Sequence, residues 1–333
     1  MVDMIDKILF YSFGLILIVL VSISVSCKKK YVLLDEYATI KYNDISIATK
    51  EDLNCIFFLN EKIGFVGGEN GAFFKTVDGG MNWLDISLKG NESIKSISFI
   101  NQNKGFLAAG GAGLLKTIDG GTNWTTELIA YAHSDISFLG DSIGYTVANY
   151  GSRGKMYKTT DGGNFWFELT LVTWPAIMGT LKDVAVFNNN NAFAVGSRGV
   201  SISTNNGGAT WSGYFNGVST DVSLNDVKYS TTGDYYIVGN EGTFSGSGSW
   251  TSYISDIEYN IHAIDFNGEK GFAVGDSCVY RYIEEINDGD KWSFMLNTDG
   301  SSINKIYNDV AFADAKNVFA VGPNGLLTNF IYE

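Results

Sequence analysis

Aspartates recur at regular positions along this 333-residue sequence, and they are the side chains best suited to chemistry. Two carboxylates held about 5 to 10 Å apart can hydrolyse a glycosidic bond, and clustered carboxylates can hold a cation. One set stands in a repeated Thr-x-Asp-Gly-Gly-x-x-Trp phrase, at Asp78, Asp119 and Asp161. A second set stands ten residues before a recurring aromatic residue, at Asp135, Asp183, Asp226 and Asp309.

The repeated phrase also defines the architecture. Full copies end at Trp83, Trp124, Trp166 and Trp211, and weaker copies end at Trp250 and Trp292. Successive tryptophans lie 39 to 45 residues apart, and a period of this length is typical of a β-propeller.

A second marker within each repeat is an aromatic residue followed by small apolar residues and glycine, and it occurs seven times, from Phe65 to Phe319. Each unit predicts four short strands joined by tight turns. We therefore expect an all-β, seven-bladed β-propeller of four-stranded blades over residues 36–333. The last unit has only three strands before Glu333, so the N-terminal strand EYATIKYNDIS is expected to close the last blade and leave no open sheet edge.

The N-terminus is predicted to be a targeting segment. An apolar run from Ile8 to Val25 ends at Cys27, which three lysines follow. This pattern resembles a bacterial lipoprotein signal of the Bacteroidetes type, which implies removal of residues 1–26, a lipid on Cys27 and a tether over residues 27–35. The alternative is an uncleaved membrane anchor, because eighteen apolar residues can just span a bilayer.

Composition narrows the range of partners. The net charge of −13 argues against a nucleic-acid partner, whose phosphates need a basic surface. Cys55 and Cys278 fall in non-adjacent blades and are expected to be free buried thiols. Because His133 and His262 are isolated, we expect no metal site, and the sequence indicates no cofactor. The protein is expected to be a monomer.

The phrase around Asp78, Asp119 and Asp161 resembles the Asp-box, or bacterial neuraminidase repeat. The fuller unit, with its aromatic-x-Val-Gly strand, is similar to the photosystem II assembly factor propellers over roughly residues 35 to 333, although Asn206 replaces the aspartate in the fourth unit. Such turns are expected to be structural: the carboxylate accepts backbone N–H groups, the glycines adopt positive φ, and Trp83, Trp124, Trp166 and Trp211 fill space between blades.

The second aspartate set is placed by alignment at the start of the innermost strands, at the rim of a central channel. There Asp135, Asp183, Asp226 and Asp309 could hold a cation or a polar ligand. Alternatively, each accepts hydrogen bonds from the backbone of a neighbouring blade. In the sixth unit His262 or Ala263 takes the equivalent position.

A candidate binding patch consists of residues that break the repeat. The third unit has an enlarged turn with Tyr150 and Arg153, the next connection carries Trp174, and the fourth unit carries Arg198. Aromatic residues beside arginine suit a peptide or glycan contact. The alternative is that Trp174 packs onto the ring while the arginines are solvated.

Two classes of function remain. The first is a non-enzymatic, lipid-anchored propeller that binds a protein or glycan at the bacterial cell envelope, as an outer-membrane lipoprotein. The second is a secreted Asp-box glycoside hydrolase or lyase that acts on a polysaccharide. Sialidase chemistry is disfavoured, because a three-arginine carboxylate site would need Arg153, Arg198 and Arg281 together, and the Arg-Ile-Pro segment of that family does not occur.

Overall fold

The computed structural model describes residues 38–332, apart from residues 129–130, 172–178, 214–221, 242–243, 247–258 and 286–288. The predictions for Cys27, Trp174 and Trp250 lie outside the described residues. The described residues form short β-strands and three single-turn 3-10 helices.

The first four repeat units are four-stranded antiparallel sheets whose strands follow sequence order from the channel outward. The strands of the first two sheets are β3 Leu53–Phe58, β4 Gly64–Gly68, β5 Phe73–Thr76, β6 Leu84–Asp85, and β7 Ile94–Phe99, β8 Gly105–Ala109, β9 Gly113–Thr117, β10 Thr125–Leu128. The strands of the next two are β11 Ala132–Leu139, β12 Ile143–Tyr150, β13 Arg153–Thr159, β14 Phe167–Glu168, and β15 Leu181–Val186, β16 Ala192–Gly196, β17 Ser201–Thr204, β18 Ser212–Gly213.

The later sheets depart from this plan. One contains the three strands β19 Leu224–Tyr229, β20 Tyr235–Gly239 and β21 Phe244–Gly246. The next has five strands: β22 Ile261–Asn267, β23 Lys270–Gly275, β24 Val279–Glu285, β25 Gly289–Leu296 and, at its edge, β1 Ala38–Thr39. The last consists of β26 Asp309–Phe312, β27 Asn317–Gly322, β28 Leu326–Ile331 and β2 Lys41–Asp44.

These strand counts correct the predicted fold. The all-β propeller is present, but the prediction of seven four-stranded blades is wrong: the described residues form six complete blades of four or five strands, and β19–β21 is a three-stranded sheet. The fifth unit reads FSGSGSW and lacks the Thr-x-Asp-Gly-Gly turn that leads into the outer strand of the first three units. The outer strand predicted from Trp250 lies outside the described residues.

The N-terminal strand closes the ring through two sheets. Residues Lys41–Asp44 pair antiparallel with β28, as predicted for this segment. The preceding strand β1 pairs in parallel with β25, and Ile40 N donates to Leu296 O at 2.9 Å. The first strands of successive sheets lie side by side, and β26 contacts β3, so the ring is continuous.

The hydrophobic core lies between neighbouring sheets. One cluster combines Tyr145 and Val147 of the third sheet with Val184 and Trp211 of the fourth. The Trp211 ring meets the Tyr145 ring edge-on at 6.0 Å, and the Trp83 ring meets Phe319 of the last sheet at 6.4 Å. The repeated tryptophans therefore fill space between sheets, which is the packing predicted for them.

Candidate functional site

In the Asp-turns, the aspartate carboxylates accept hydrogen bonds from residues of the same turn. In the first sheet Asp78 Oδ1 accepts the Thr76 hydroxyl at 2.8 Å and the Asn82 backbone N–H at 2.9 Å, while Oδ2 accepts the Asn82 side-chain amide at 2.8 Å. Asp119 makes the same contacts with Thr117 and Asn123. The two following glycines adopt positive φ, and a Cβ on Gly80 would lie 2.4 Å from the Phe319 ring.

These hydrogen bonds set the acidity of the turns. Donation from the side chain and then the backbone of Asn123 lowers the pKa of Asp119 to about 2. The pKa values of Asp78 and Asp161 are also lowered, chiefly by hydrogen bonds from Asn82 and from the Phe165 backbone respectively. In the fourth sheet Asn206 accepts the Thr204 hydroxyl at 2.9 Å and the Thr210 N–H at 3.0 Å. Since a neutral amide replaces the carboxylate there, the turn needs an acceptor and not a charge.

The lysine of the repeated Lys-Thr pair links consecutive sheets, a role that the sequence does not reveal. The Nζ atoms of Lys75, Lys116 and Lys158 donate to the carbonyl oxygens of Gly120, Gly163 and Gly207, each in the Asp-turn of the following sheet, at 3.1, 3.1 and 2.6 Å. The fourth sheet has Ser203 at this position. The repeated lysine is a sequence signal, but its partner lies more than 40 residues away.

β-Bulges position three of the four channel aspartates, whereas Asp309 stands at the start of β26, whose pairing with β27 is regular. The register of the innermost strand shifts just before Asp135, Asp183 and Asp226, as it does before Cys55 and Ser96. A bulge redirects the side chain that follows it. Each of these aspartates then accepts a backbone N–H from the next sheet: the donors to Asp135, Asp183, Asp226 and Asp309 are Val184, Val227, Ile264 and Ile56, at 2.8 to 3.0 Å.

The sixth unit contributes Asp265, which the sequence alignment missed. Asp265 Oδ2 accepts the Phe312 N–H at 2.8 Å, although Asp265 lies two residues beyond Ala263, which has the register position of the other aspartates. His262 instead bonds Tyr307 O through Nδ1 at 2.8 Å, and its Nε2 lies 3.4 Å from Asp276. No spacing rule in the sequence anticipates a two-residue shift.

Burial raises the pKa values of several channel carboxyl groups. Burial, and then the Asp226 carboxylate, raise the pKa of Asp309 to about 8. Burial raises the pKa of Asp265 to about 6 and that of Asp183 well above its usual range. Burial opposes the charge of Lys228, but Asp183 and Asp226 outweigh it and raise the lysine pKa; its Nζ lies 3.0 Å from Asp226 and 3.9 Å from Asp183.

The channel is a cavity of about 420 Å³ lined by the innermost strands. Among the residues that the structure describes, no group of three His, Cys, Asp or Glu side chains has the arrangement of a metal site. The channel carboxylates bind backbone amides and one ammonium group. Their geometry is that of a hydrogen-bonded belt joining the sheets, which is the structural alternative considered above for this set.

The predicted binding patch is partly described. Tyr150 and Arg153 form the end of the β12–β13 hairpin, and the Tyr150 side chain is 67% exposed. Arg198 lies in the 3-10 helix Ser197–Gly199, at the corresponding turn of the fourth sheet, with φ of 61°. Both turns connect second and third strands, so they lie on the face opposite the Asp-turns. The structure thus places Tyr150, Arg153 and Arg198 on one face of neighbouring sheets.

Further aromatic residues extend this patch, and the sequence analysis did not identify them. The Tyr150 ring meets Tyr131 edge-on at 5.6 Å, and Tyr131 stacks on Tyr157 at 6.4 Å. Lys155 Nζ lies 5.8 Å from the Tyr131 ring centroid, and it pairs with Glu168. Tyr131 is half-buried and Tyr157 is buried, so they support the exposed Tyr150 ring, which offers both apolar contact and hydrogen bonding to a ligand.

Cys55 and Cys278 are free and buried, as predicted. Cys55 is hydrogen-bonded within the belt, with Sγ 3.8 Å from Ile94 O of the next sheet. His133 is buried and bonds Thr146 at 2.9 Å, and burial lowers its pKa to about 4. Within the described part of the chain, no helix has the length and apolar character needed to cross a bilayer.

Comparison with known proteins supports the fold. The family described as photosynthesis system II assembly factor YCF48 matches residues 34–130. YCF48 bound to D1 peptide is similar in structure, with a TM-score of 0.70 and 18% identity over 90% of this chain and 100% of that chain. YCF48 from Cyanidioschyzon merolae has a TM-score of 0.65 and 19% sequence identity, over 87% of this chain and 98% of that chain. An ancestral GH74 enzyme has a TM-score of 0.67 and 13% sequence identity, over 87% of this chain and 46% of that chain.

No curated protein sequence matches the chain. The YCF48 family match covers fewer than half of the residues, and the structural matches have low sequence identity. Together they show that the chain has a β-propeller fold similar to that of the photosystem II assembly factor YCF48.

Proposed function

We propose that this chain is a non-enzymatic propeller that binds a polypeptide through the face opposite the Asp-turns. The observation that carries the proposal is the enlarged β12–β13 hairpin, which exposes Tyr150 beside Arg153 and backs it with Tyr131. The repeat keeps the scaffold constant, so an exposed insertion is where specialisation is expected.

The chemistry of the patch suits a peptide better than a small substrate. Tyrosine and arginine are enriched at the energetic centres of protein interfaces, and a rigid aromatic ring loses little entropy on binding. The similar YCF48 structure has a D1 peptide bound, which is an additional reason to expect a peptide ligand here. The chain has a net charge of −13 and only three arginines. Two of them, Arg153 and Arg198, lie on this face.

The channel aspartates fit this proposal because one oxygen of each already accepts a backbone amide of the neighbouring sheet. A glycoside hydrolase needs one carboxyl group free to donate a proton and another free to attack or to activate water. Asp135, Asp183, Asp226, Asp265 and Asp309 each hold an amide of the next sheet instead.

We further propose that the protein is held at the bacterial cell envelope by a lipid on Cys27. The apolar run before Cys27 and the lysines after it support this. In cells fed an alkyne fatty acid, the wild-type chain should incorporate the label, and the Cys27→Ser variant should lose it. Equal labelling of both would contradict the anchor.

Peptide binding can be measured on an array of synthetic peptides with the wild-type protein and a Tyr150→Ala/Arg153→Ala variant. The variant should lose most of the signal on the peptides that the wild type binds. A Tyr259→Ala/Lys89→Ala variant is the matched control, since both residues are exposed and lie outside the patch, and it should bind normally. Equal loss in both variants, or signal only on a parallel glycan array, would refute the peptide proposal.

A further inference from the structure

The lysine that links each of the first three sheets to the next occupies one fixed position of the repeat. It pairs across its hairpin with the recurring aromatic residue, as Lys75 with Phe65, Lys116 with Phe106 and Lys158 with Tyr145. In the fourth and last sheets the same position holds Ser203 and Asn329, paired with Phe193 and Phe319. Neither side chain carries an ammonium group, so neither can make the lysine link.

A cleft lies between sheets at each of these two positions. One has a volume of about 600 Å³ and separates the last sheet from the Asp-turn of the first; we call it the closure cleft, and its lining includes Glu61, Asp78, Gly79, Asp314, Phe319 and Asn329. The other has a volume of about 400 Å³ and lies between Ser203 and the first hairpin turn of the next sheet. Loss of the lysine thus coincides with open space between sheets.

The two clefts differ in charge. The closure cleft is lined by three carboxylates, of Glu61, Asp78 and Asp314, and by one lysine, Lys62. The cleft at Ser203 is lined by aromatic and neutral polar residues and one glycine. Only the closure cleft therefore combines the space left by a lysine with an excess of negative charge.

Hydrogen bonds favour the ionised form of two of these carboxyl groups. Donation from the side chain and then the backbone of Asn82 lowers the pKa of Asp78. Burial opposes the charge of Asp314, but hydrogen bonds, chiefly from the Asn317 side chain, outweigh it and lower the pKa of that carboxyl group. Both groups are therefore carboxylates at neutral pH, which suits a cationic ligand.

Asn329 adds a carbonyl oxygen that has no donor. Asn317 Nδ2 donates to Asp314 Oδ2 at 2.8 Å, and because a carboxylate can only accept, this contact leaves Asn317 Oδ1 as an acceptor. Asn329 Nδ2 donates to that oxygen at 3.3 Å. The network thereby fixes Asn329 Oδ1 as a buried acceptor, and no group of the described residues donates to it. A buried acceptor of this kind gains most from a new N–H donor.

The first sheet shows how an ammonium group occupies the equivalent space. Lys75 Nζ lies 3.1 Å from Gly120 O, in the Asp-turn of the next sheet, and 5.3 Å from the centroid of the Phe65 ring. In the closure cleft the corresponding groups are the Gly79 carbonyl and the Phe319 ring, and both residues line it. A cation held there would gain a backbone acceptor and an aromatic face together.

We propose that the closure cleft binds a primary alkylammonium group, which takes the place that the lysine ammonium takes between the first three sheets. The group donates to Gly79 O, lies against the Phe319 ring and is attracted by the carboxylates of Asp78 and Asp314. Two sources present this chemistry: the lysine side chain of a polypeptide, and a free polyamine. The cleft adjoins an Asp-turn, on the face opposite the hairpin that bears Tyr150, so this site is separate from the peptide-binding patch.

The test supplies the cleft with an ammonium group from the chain itself. In Asn329→Lys the new side chain should occupy the closure cleft and compete with a ligand. The full chain is titrated with n-butylammonium, with sodium chloride at equal ionic strength as the blank, and the amide NMR signals of Gly79 and Gly80 report binding. The wild type should show saturable shifts, and the affinity of Asn329→Lys should be lower by about tenfold or more.

The matched control is Ser203→Lys, which adds the same charge at the equivalent position of the other cleft. It should bind n-butylammonium as the wild type does. No saturable response in the wild type, or equal losses of affinity in Asn329→Lys and Ser203→Lys, would overturn the proposal.

A second variant covers the case in which Asn329→Lys does not fold. Glu61→Gln removes one carboxylate from the lining and should lower the affinity by about twofold to fivefold. Glu269→Gln is its control, because Glu269 is an exposed glutamate in the corresponding hairpin turn of the sixth sheet. Equal affinities of these two variants would also count against the site.

Further probes identify the source of the ammonium group. Spermidine represents a free polyamine, and Nα-acetyl-lysine amide represents a polypeptide lysine, with Nα-acetyl-norleucine amide as its uncharged counterpart. Tighter binding of spermidine would support the site with a polyamine as its ligand, and tighter binding of the lysine derivative would support it with a polypeptide. Equal binding of the lysine and norleucine derivatives would overturn the proposal, because the cleft would then recognise the alkyl chain and not the ammonium group.

Discussion

Two sets of aspartates in this propeller accept hydrogen bonds that the fold requires, one set in solvent-exposed turns and the other in the buried channel. Those of the Asp-turns are exposed and accept hydrogen bonds within one loop, which lowers the pKa of Asp119 to about 2. Those of the channel belt accept one backbone amide from the next sheet, and burial raises the pKa of Asp309 to about 8. Hydrogen bonding to the anion dominates where water is available, and loss of solvation dominates where it is not.

A recurrent acidic residue in a repeat protein therefore need not be a catalytic group. In both sets the aspartate supplies an acceptor that the fold requires. What separates them is the pH range over which each contributes to stability, and this gives three ways to test the comparison.

The largest effect is expected from the pH dependence of the belt. Because native Asp309 keeps its proton up to about pH 8 and an unfolded aspartate loses it near pH 4, the folded state binds more protons in this range. Its contribution to stability is therefore fully present below about pH 4 and falls as the pH rises to about 8, by about 1.4 kcal/mol per pH unit. Urea unfolding across this range should show a flatter pH profile for Asp309→Asn than for the wild type. An unchanged slope would contradict the raised pKa.

A smaller effect is expected when a belt aspartate is removed. Asp183→Ala leaves the buried Val227 N–H without an acceptor and leaves Lys228 with one carboxylate fewer, at a cost of about 1–3 kcal/mol for the amide alone. Asp119→Ala is the matched turn variant, and it should lower Tm less because water can replace the lost acceptor. Calorimetry of the two variants measures the difference, and a larger loss for Asp119→Ala would reverse the comparison.

The smallest effect is expected from Asp119→Asn. Asn206 shows that an amide supports the same turn, so the variant should keep near wild-type Tm at pH 7. Because the pKa of Asp119 is lowered in the folded state, its carboxylate stabilises the fold above about pH 4. This contribution to stability is lost as the pH falls toward about 2. The variant should therefore lose less stability than the wild type in acid. Thermal scans from pH 5 to pH 2 provide the check.

Most of the scaffold could be predicted from the sequence because the repeat is local. The Asp-turn, its glycines and the following tryptophan lie within nine residues, and their spacing alone indicates their geometry. The departures of the later sheets were not predicted, because the FSGSGSW and INDGDKW segments keep the tryptophan of the repeat while they lose its Thr-x-Asp-Gly-Gly turn. The pairing of Ala38–Thr39 with β25 was also missed, since two residues in parallel pairing leave no periodic pattern.

The candidate site was harder to predict from the sequence than the scaffold. Tyr150, Arg153 and Arg198 were found because they interrupt the repeat. Tyr131 and Tyr157 were not, because nothing in the sequence shows that Tyr131, just before β11, meets Tyr150 and stacks on Tyr157 of β13. Asp265 was missed for a related reason: its side chain meets Phe312 through a shift in register between sheets that only the folded ring defines.

The double pairing of the N-terminal strands also determines how the propeller would bear a mechanical load. A pull on the polypeptide before Ala38 acts along the axes of β1 and β2, parallel to the strands they pair with. Their hydrogen bonds to β25 and β28 are then loaded in shear, so several must break together before either strand slides out. The segment that closes the ring would therefore resist detachment by force.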